Sequence, residues 1–118
     1  MTASETESTP QVFARGAGRL LHSVVFRLKA DAPADTAEQM IEFYRTEVPK
    51  APGVLWVFAG PPRPSERDVV DDGFALSTAT LFESSEAEVV WQTHPIHKDF
   101  IARFEPYFGD VVVYDVIQ

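Results

Sequence analysis

The sequence predicts an α+β fold in which four antiparallel strands form one sheet and all the helices pack against the same face of it. Two observations lead to this prediction. Segments rich in β-branched and aromatic residues alternate with segments of helical periodicity, in the order β-α-β-β-α-α-β. In addition, the 118 residues are 45% hydrophobic, which suits one small domain with a modest core.

The first strand and the first helix follow directly from this pattern. Residues 20–29 are predicted to form a strand, since β-branched and aromatic side chains dominate them. The face of that strand expected to meet the helices carries His22, Val24, Phe26 and Leu28. Asp35 is the predicted N-cap of a helix that runs to about Val48.

The later elements are separated by typical turn and cap residues. They are the strands 54–59, 74–82 and 110–117, a short helix 85–92 and a second helix that begins at Pro95. Gly60 ends the second strand, in which we interpret Trp56 and Phe58 as core residues. Ser84 is the predicted cap of the short helix, and Pro95 suits a first helical position because its missing N–H needs no partner there.

Together these elements form a ferredoxin-like arrangement with the second helix divided in two. They occupy residues 19–118, which we interpret as one domain. Residues 1–18 are polar, with little hydrophobic pattern, and are interpreted as an N-terminal arm.

The sheet face that the helices leave uncovered is expected to be apolar. Val25, Leu81 and part of residues 111–113 fall on it, together with either Leu55 and Val57 or their neighbours. Such a face is unfavourable in water, so we expect a second copy of the chain to pack against it. The prediction is a homodimer whose two sheets form a dimeric α+β barrel.

Composition excludes several classes of partner. The formal net charge of −8 argues against nucleic acid and against an anionic membrane surface, since both would repel the chain. No apolar run approaches the roughly 20 residues of a membrane span. The chain has no cysteine, which excludes disulfides and thiolate chemistry and is typical of a cytoplasmic protein. We therefore expect a cytoplasmic location.

Two of the three histidines lie where the last helix begins. A stripe of phenylalanines follows His97 at helical spacing, so we expect His97 to face inward, as a neutral imidazole that can act as a general base. His22 on the first strand and Tyr44 on the first helix are expected to reach the same cavity. The alternative is that both histidines are structural, each bonded to a carbonyl or buried in the core.

We expect neither a metal nor a cofactor. His94 precedes Pro95 and therefore suits the N-cap of the last helix. No Asp or Glu at ligand spacing joins His94 and His97, and the chain has no glycine-rich phosphate loop or dinucleotide fingerprint.

Several segments combine into a recognisable pattern. They are residues 21–29, 51–54 with Gly60, 82–84, the His94-Pro95-x-His97-x-x-Phe100 segment and the Val-rich strand 111–115. In this order they resemble the stress-responsive A/B barrel domain family, a branch of the dimeric α+β barrel proteins, over residues 20–117. The resemblance implies a homodimeric ferredoxin-like barrel, often of unknown biochemical role.

The resemblance also implies candidate site residues. In family members similar to olivetolic acid cyclase, a pocket between sheet and helices closes a polyketide by aldol condensation. By position, the base of such a cyclase matches His97, its first-strand histidine matches His22 and its first-helix tyrosine matches Tyr44. Its key tyrosine is replaced here by Trp91, which is neither acid nor base, and its third-strand histidine is replaced by Leu76.

Two functions are therefore open. The domain is either a stress-response module that binds a small apolar or aromatic molecule, or a cofactor-independent cyclase, isomerase or lyase of an aromatic or polyketide-like substrate. In the second case His97 is the base, and Tyr44 or His22 orients a carbonyl oxygen. Trp91 favours the first. Besides these three candidate catalytic residues, the expected cavity lining is Phe26, Thr78, Trp91, Phe104 and Phe108.

Overall fold

The structure, a computed structural model, describes residues 18–118 and confirms the predicted order of elements. The strands are β1 (Leu20–Leu28), β2 (Val54–Gly60), β3 (Leu76–Phe82) and β4 (Phe108–Ile117), and the helices are α1 (Thr36–Thr46), α2 (Ser85–Thr93) and α3 (Pro95–Phe104). Short 3-10 turns, Val48–Lys50 and Glu105–Tyr107, follow α1 and α3. The predicted N-terminal arm, apart from Gly18, lies outside the described residues.

The four strands form one antiparallel sheet in the order β2-β3-β1-β4, which confirms the ferredoxin-like topology. β1 is central and pairs with β3 on one side and β4 on the other. Val24, for example, lies between Thr78 and Val113. Because side chains alternate along each strand, these three residues share the face that the helices cover.

The core lies between that face and the helices, and its centre is aromatic. Phe100 of α3 is 1% exposed, and its ring centroid lies 5.1 Å from that of Tyr44, 5.5 Å from that of Phe43 and 6.0 Å from that of Phe26. These edge and tilted contacts join α3 to α1 and to β1 at the same time. The position of α3 on the sheet is therefore set by a ring cluster rather than by a polar contact.

The ends of α2 and α3 are capped as predicted. The Ser84 Oγ accepts a hydrogen bond from the Ala87 N–H at 3.0 Å, and the His94 Nδ1 accepts one from the Ile96 N–H at 3.1 Å. Asp35 differs from the prediction, because its carboxylate makes no hydrogen bond to the backbone N–H groups of α1. The Ser84 cap sets the start of α2, and the His94 cap fixes the turn between α2 and α3, next to His97.

Trp56 and Phe58 are not core residues, so their interpretation as core was wrong. Trp56 pairs with Leu81 and Phe58 with Ala79, on the sheet face that the helices do not cover, and the two aromatic residues are 49% and 66% exposed. The register of β2 shifts between Val54 and Trp56, an irregularity of the β-bulge kind. Such a shift moves the following side chains to the opposite face.

The uncovered face of the sheet, called here the open face, is mainly apolar. Its apolar residues are Leu21, Val25, Trp56, Phe58, Ala79, Leu81, Val112, Tyr114 and Val116. Several of these are large and well exposed, Val116 and Tyr114 at 60% each. A patch of this kind on one side of a thin sheet marks an interaction surface. Within residues 18–118, no helix is long and apolar enough to cross a membrane.

Gly53, in the turn before β2, is required by both conformation and space. Its φ is +81°, and a Cβ at this position would lie 2.6 Å from the Cβ of Ala87. Gly53→Ala is therefore expected to lower the free energy of unfolding by about 2 kcal/mol, measured by urea denaturation. Gly60→Ala is the matched control, since nothing lies within 4 Å of the added Cβ there. Equal stability of the two variants would contradict this account.

Candidate active site

A cleft of about 340 Å³ opens on the helix side of the sheet, where α2 and α3 meet β1 and β4. Its apolar lining is Val24, Phe26, Trp91, Phe100, Ile101, Phe108, Val111 and Val113, and its polar lining is His22, Tyr44, Glu88, Gln92 and His97. β4 is an edge strand whose residues remain largely exposed, so the helices do not close the cleft on that side. The candidate catalytic residues predicted from the sequence are thus brought together around one open cavity.

The tautomer of His97 follows from its neighbour. The Nδ1 atom of His97 lies 3.0 Å from the backbone carbonyl oxygen of Gln92. A carbonyl oxygen only accepts, so Nδ1 carries the proton and donates it to this bond. Nε2 is then left with its lone pair. His97 is bonded to a carbonyl, as the structural alternative expected, but it also lines an open cleft.

The surroundings of His97 favour its neutral form. Burial is the largest effect and lowers the pKa of His97 from its ordinary value of 6.5. The Gln92 carbonyl opposes this shift, the charge of His22 adds to it and the Glu88 carboxylate opposes it. Since the net effect is a lowered pKa, His97 is a neutral imidazole at neutral pH.

His22 forms an ion-pair type contact that sequence reasoning missed. Its Nδ1 lies 2.6 Å from a carboxylate oxygen of Asp115, and the two residues are direct partners across β1 and β4. The signal was present in the alternation of β4, where Val111 and Val113 face the helices and Asp115 follows at the same spacing. Asp115 holds the imidazole of His22 by Nδ1, so its Nε2 is the atom free to face the cleft.

Tyr44 and Thr78 place two hydroxyl groups deep under the cleft. Burial raises the pKa of Tyr44 to about 12, and the nearby Thr78 hydroxyl opposes part of that shift. Thr78 is 1% exposed, and no partner among the described residues reaches its hydroxyl with full hydrogen-bond geometry. Tyr44 therefore remains a phenol at any physiological pH and is a hydrogen-bond donor rather than a base.

Glu88 is a second polar residue that sequence reasoning missed. It is 8% exposed, and the side-chain Nε2 of Gln92 donates to both of its carboxylate oxygens, at 3.0 and 2.9 Å. Glu88 and Gln92 are four residues apart on α2 and share the face of the buried Trp91. That i, i+4 spacing beside an inward tryptophan was the available signal.

Of the residues predicted to line the cavity, Phe26, Trp91 and Phe108 line this cleft, and Thr78 and Phe104 do not. Thr78 does not line the cleft, because it lies fully buried in the central part of β3 beneath Tyr44. Phe104 does not line it either, since α3 turns its ring toward Phe43, at a centroid distance of 6.1 Å. The Trp91 ring instead forms a wall beside His97, with centroids 5.0 Å apart.

Three further cavities in the described part of the chain are lined by no histidine side chain. Over residues 18–118, no three His, Asp or Glu side chains are grouped so that they could hold a metal ion. A larger cavity of about 700 Å³ lies on the open face, lined by Leu21, Leu55, Trp56, Leu81 and Val116 with Arg19 and Gln118. Its lining includes no histidine, tyrosine, aspartate or glutamate side chain, whereas the helix-side cleft has two histidines, a tyrosine and a glutamate.

Comparison with known proteins identifies relatives of the whole domain. A family model described as the stress responsive A/B barrel domain matches residues 20–118. A stress-response A/B barrel domain-containing protein of Arabidopsis thaliana is 26% identical over 94 residues, which are 80% of this chain and 81% of that protein. The residues matched by the family model therefore include every strand and helix described above.

Solved structures share the fold. The hydroxynitrile lyase of Passiflora edulis is similar with a TM-score of 0.73 at 22% identity, over 86% of this chain and 94% of that one. A dimeric protein of unknown function with a ferredoxin-like fold, from Bacteroides fragilis, gives a TM-score of 0.71 at 15% identity, over 86% and 97% of the two chains. At these identities the likeness shows the fold alone.

The pKa of His97 provides a test of the site geometry. His97 is expected to titrate below 6.5 in NMR spectra of the histidine side chains, with its proton on Nδ1 in the neutral form. Glu88→Gln should lower the pKa further, because the carboxylate favours imidazolium. Glu86→Gln, at an exposed position of the same helix, is the control and should leave the pKa unchanged.

The same shift has a consequence for stability. Folding lowers the pKa of His97, so the folded chain favours the neutral imidazole. The contribution of His97 to the free energy of unfolding is therefore fully present above about pH 6.5 and is lost as the pH falls through the pKa of the folded state. His97→Gln should remove this part of the pH dependence. A titration of His97 above 6.5, or a proton on Nε2, would contradict the arrangement.

Proposed function

The chain belongs to the stress responsive A/B barrel domain family, and from this premise we propose that it is a homodimeric domain whose helix-side cleft binds a small, mainly apolar molecule. The observation that carries the proposal is the cleft itself. Aromatic and aliphatic walls surround a few convergent polar groups, which is the usual composition of a small-molecule site. Its volume of about 340 Å³ suits a ligand of roughly one aromatic ring with a short substituent.

The open face supports the homodimer. Its exposed apolar residues lie on a single sheet surface, and covering them with a second copy of the same surface removes both patches from water at once. The structure from Bacteroides fragilis that shares this fold is itself dimeric. Two sheets packed in this way form the α+β barrel, and the helix-side cleft stays on the outside of each sheet. The cytoplasmic location remains a prediction from composition.

A second candidate function is proton transfer without a cofactor, and the geometry of His97 favours it. A neutral imidazole whose Nδ1–H is held by a carbonyl keeps the basic Nε2 lone pair for a ligand. In this proposal Nε2 takes a proton from a carbon next to a carbonyl group of the substrate. The electron pair of the broken C–H bond forms an enolate, whose oxygen accepts a hydrogen bond from the Tyr44 phenol.

The His22–Asp115 pair has a supporting role in this scheme. Asp115 fixes the imidazole of His22 by Nδ1, so that Nε2 can orient a polar group of the ligand. In a substrate with a double bond conjugated to this enolate, return of the proton from His97 to the far carbon of that double bond completes an isomerisation and restores the neutral imidazole. A lyase in Passiflora edulis shares this fold, which shows that such a scaffold can house an enzyme and carries no information about the substrate here.

The dimer is tested by a charge on the open face. The wild-type chain should sediment at twice its mass of 13.2 kDa in analytical ultracentrifugation, and Phe58→Asp should sediment as a monomer, because a carboxylate would be buried in the interface. Val89→Asp is the matched control: Val89 is 63% exposed on α2, close to the 66% of Phe58, but lies away from the sheet. A Phe58→Asp dimer would refute packing through the open face.

The role of the cleft is tested with phenylacetone as a small ketone probe. Binding is measured by calorimetry, and exchange of its α-protons in D₂O is followed by NMR. His97→Gln should keep the affinity within about twofold and slow exchange by about a hundredfold or more, since a general base is lost. Tyr44→Phe should slow exchange about tenfold by loss of one hydrogen bond.

Tyr107→Phe, outside the cleft, is the control for the tyrosine variant and should exchange at the wild-type rate. Binding without exchange in the wild type would retain the binding function and reject the proton-transfer function. No binding of the ketone to the folded wild type would contradict the proton-transfer function, and the binding function would be rejected if other apolar probes of the same size also fail to bind.

A further inference from the structure

Among its Asp, Glu, Lys and Arg side chains, the lining of the cleft includes an acid and no base. Glu88 is the single Asp, Glu, Lys or Arg side chain that lines it among residues 18–118, and no lysine or arginine faces it. Asp115 stands behind His22, and the pKa of His97 is lowered so that its imidazole is neutral. The chain as a whole carries a formal net charge of −8. The cleft is therefore electronegative.

The cleft also offers more hydrogen-bond acceptors than donors. Nε2 of His97 is an acceptor, because Nδ1 carries the proton. Nε2 of His22 is an acceptor in the neutral form of that imidazole, whose Nδ1 is engaged by Asp115. The Glu88 carboxylate has about four lone-pair sites, and one side-chain amide of Gln92 occupies part of them. Apart from the Gln92 amide, which is bonded to Glu88, the uncharged donors among the lining side chains are the Tyr44 hydroxyl and the Trp91 indole N–H. A ligand that supplies donors matches this arrangement better than one that supplies acceptors.

The aromatic walls of the cleft also favour a cation over an anion. Phe26, Trp91, Phe100 and Phe108 all line the cleft, and the faces of aromatic rings carry negative electrostatic potential. Such rings attract an organic cation and repel an anion. They also provide the apolar surface on which the body of a small ligand can pack.

We propose that the cleft selects a small aromatic or aliphatic amine in its protonated form, with the ammonium group bound by Glu88 and the apolar body held between the aromatic walls. This rests on the proposed binding function and specifies its ligand class. An ammonium offers three donors and no acceptor, which complements the acceptors of the cleft. Glu88 is 8% exposed, so its interaction with a bound cation is weakly screened by solvent. A carboxylate ligand would face Glu88 with no compensating cation.

Three probes of matched size test the proposal by calorimetry at pH 7: phenethylamine, which is a cation, 2-phenylethanol, which is neutral, and 3-phenylpropionate, which is an anion. The wild type is expected to bind the amine about tenfold more tightly than the alcohol and to show no binding of the anion. Glu88→Gln should abolish the preference for the amine and leave the affinity for the alcohol within about twofold. Glutamine keeps the size of the side chain, so the fold should be retained.

Glu86→Gln removes the same charge from an exposed position of α2 and should bind all three probes as the wild type does. Retention of the amine preference in Glu88→Gln, or its loss in Glu86→Gln, would overturn the assignment to Glu88. Binding of the alcohol with equal or weaker binding of the amine would reject the ligand class and retain the binding function. Failure of all three probes on the folded wild type would reject both.

Discussion

The pairing register of β1 is the constraint on which the rest of the molecule depends. β1 lies between β3 and β4, so its alternation decides which side chains of all three strands meet the helices. A shift by one residue would turn His22 and Phe26 toward the open face and bring Leu21 and Val25 into the core. The core, the open face and the Asp115–His22 contact therefore come from a single register.

The junction of α2 and α3 gives His97 its chemistry. The last carbonyl groups of a helix have no partner within the helix, and that of Gln92 belongs to the last turn of α2. His97 in the first turn of α3 supplies the missing donor from Nδ1. One hydrogen bond thus satisfies a helix end and determines which imidazole nitrogen remains basic. The structural contact of His97 is therefore compatible with its proposed role as a base, because it leaves Nε2 unprotonated.

The two faces of the sheet have different tasks. The open face is broad and apolar, with a cavity lined by no histidine, tyrosine, aspartate or glutamate side chain, and in the proposed dimer it is buried against another copy. The helix side carries the titratable groups, and its cleft stays open along β4 because no helix covers that edge strand. Association through one face therefore leaves the other accessible, since the two surfaces are separated by the thickness of one sheet.

Much of the fold and part of the site could be predicted from the sequence. The order of elements, the caps Ser84 and His94, and the inward direction of His97 and Tyr44 are local properties, which follow from hydrophobic periodicity and cap chemistry within a few residues. The bulge in β2 was not predictable in this way. It moved Trp56 and Phe58 to the open face, because a register shift depends on the neighbouring strand and not on the strand itself.

The sequence by itself determined the fold class, the family pattern and which histidines and tyrosine point into the space between helices and sheet. The tertiary structure alone decided the partners of those groups: Asp115 for His22, a backbone carbonyl for His97, and Glu88 as the charged wall of the cleft. The physical reason is distance along the chain. His22 and Asp115 are 93 residues apart, and such a pair is defined only when strand register places both side chains at one point of the sheet.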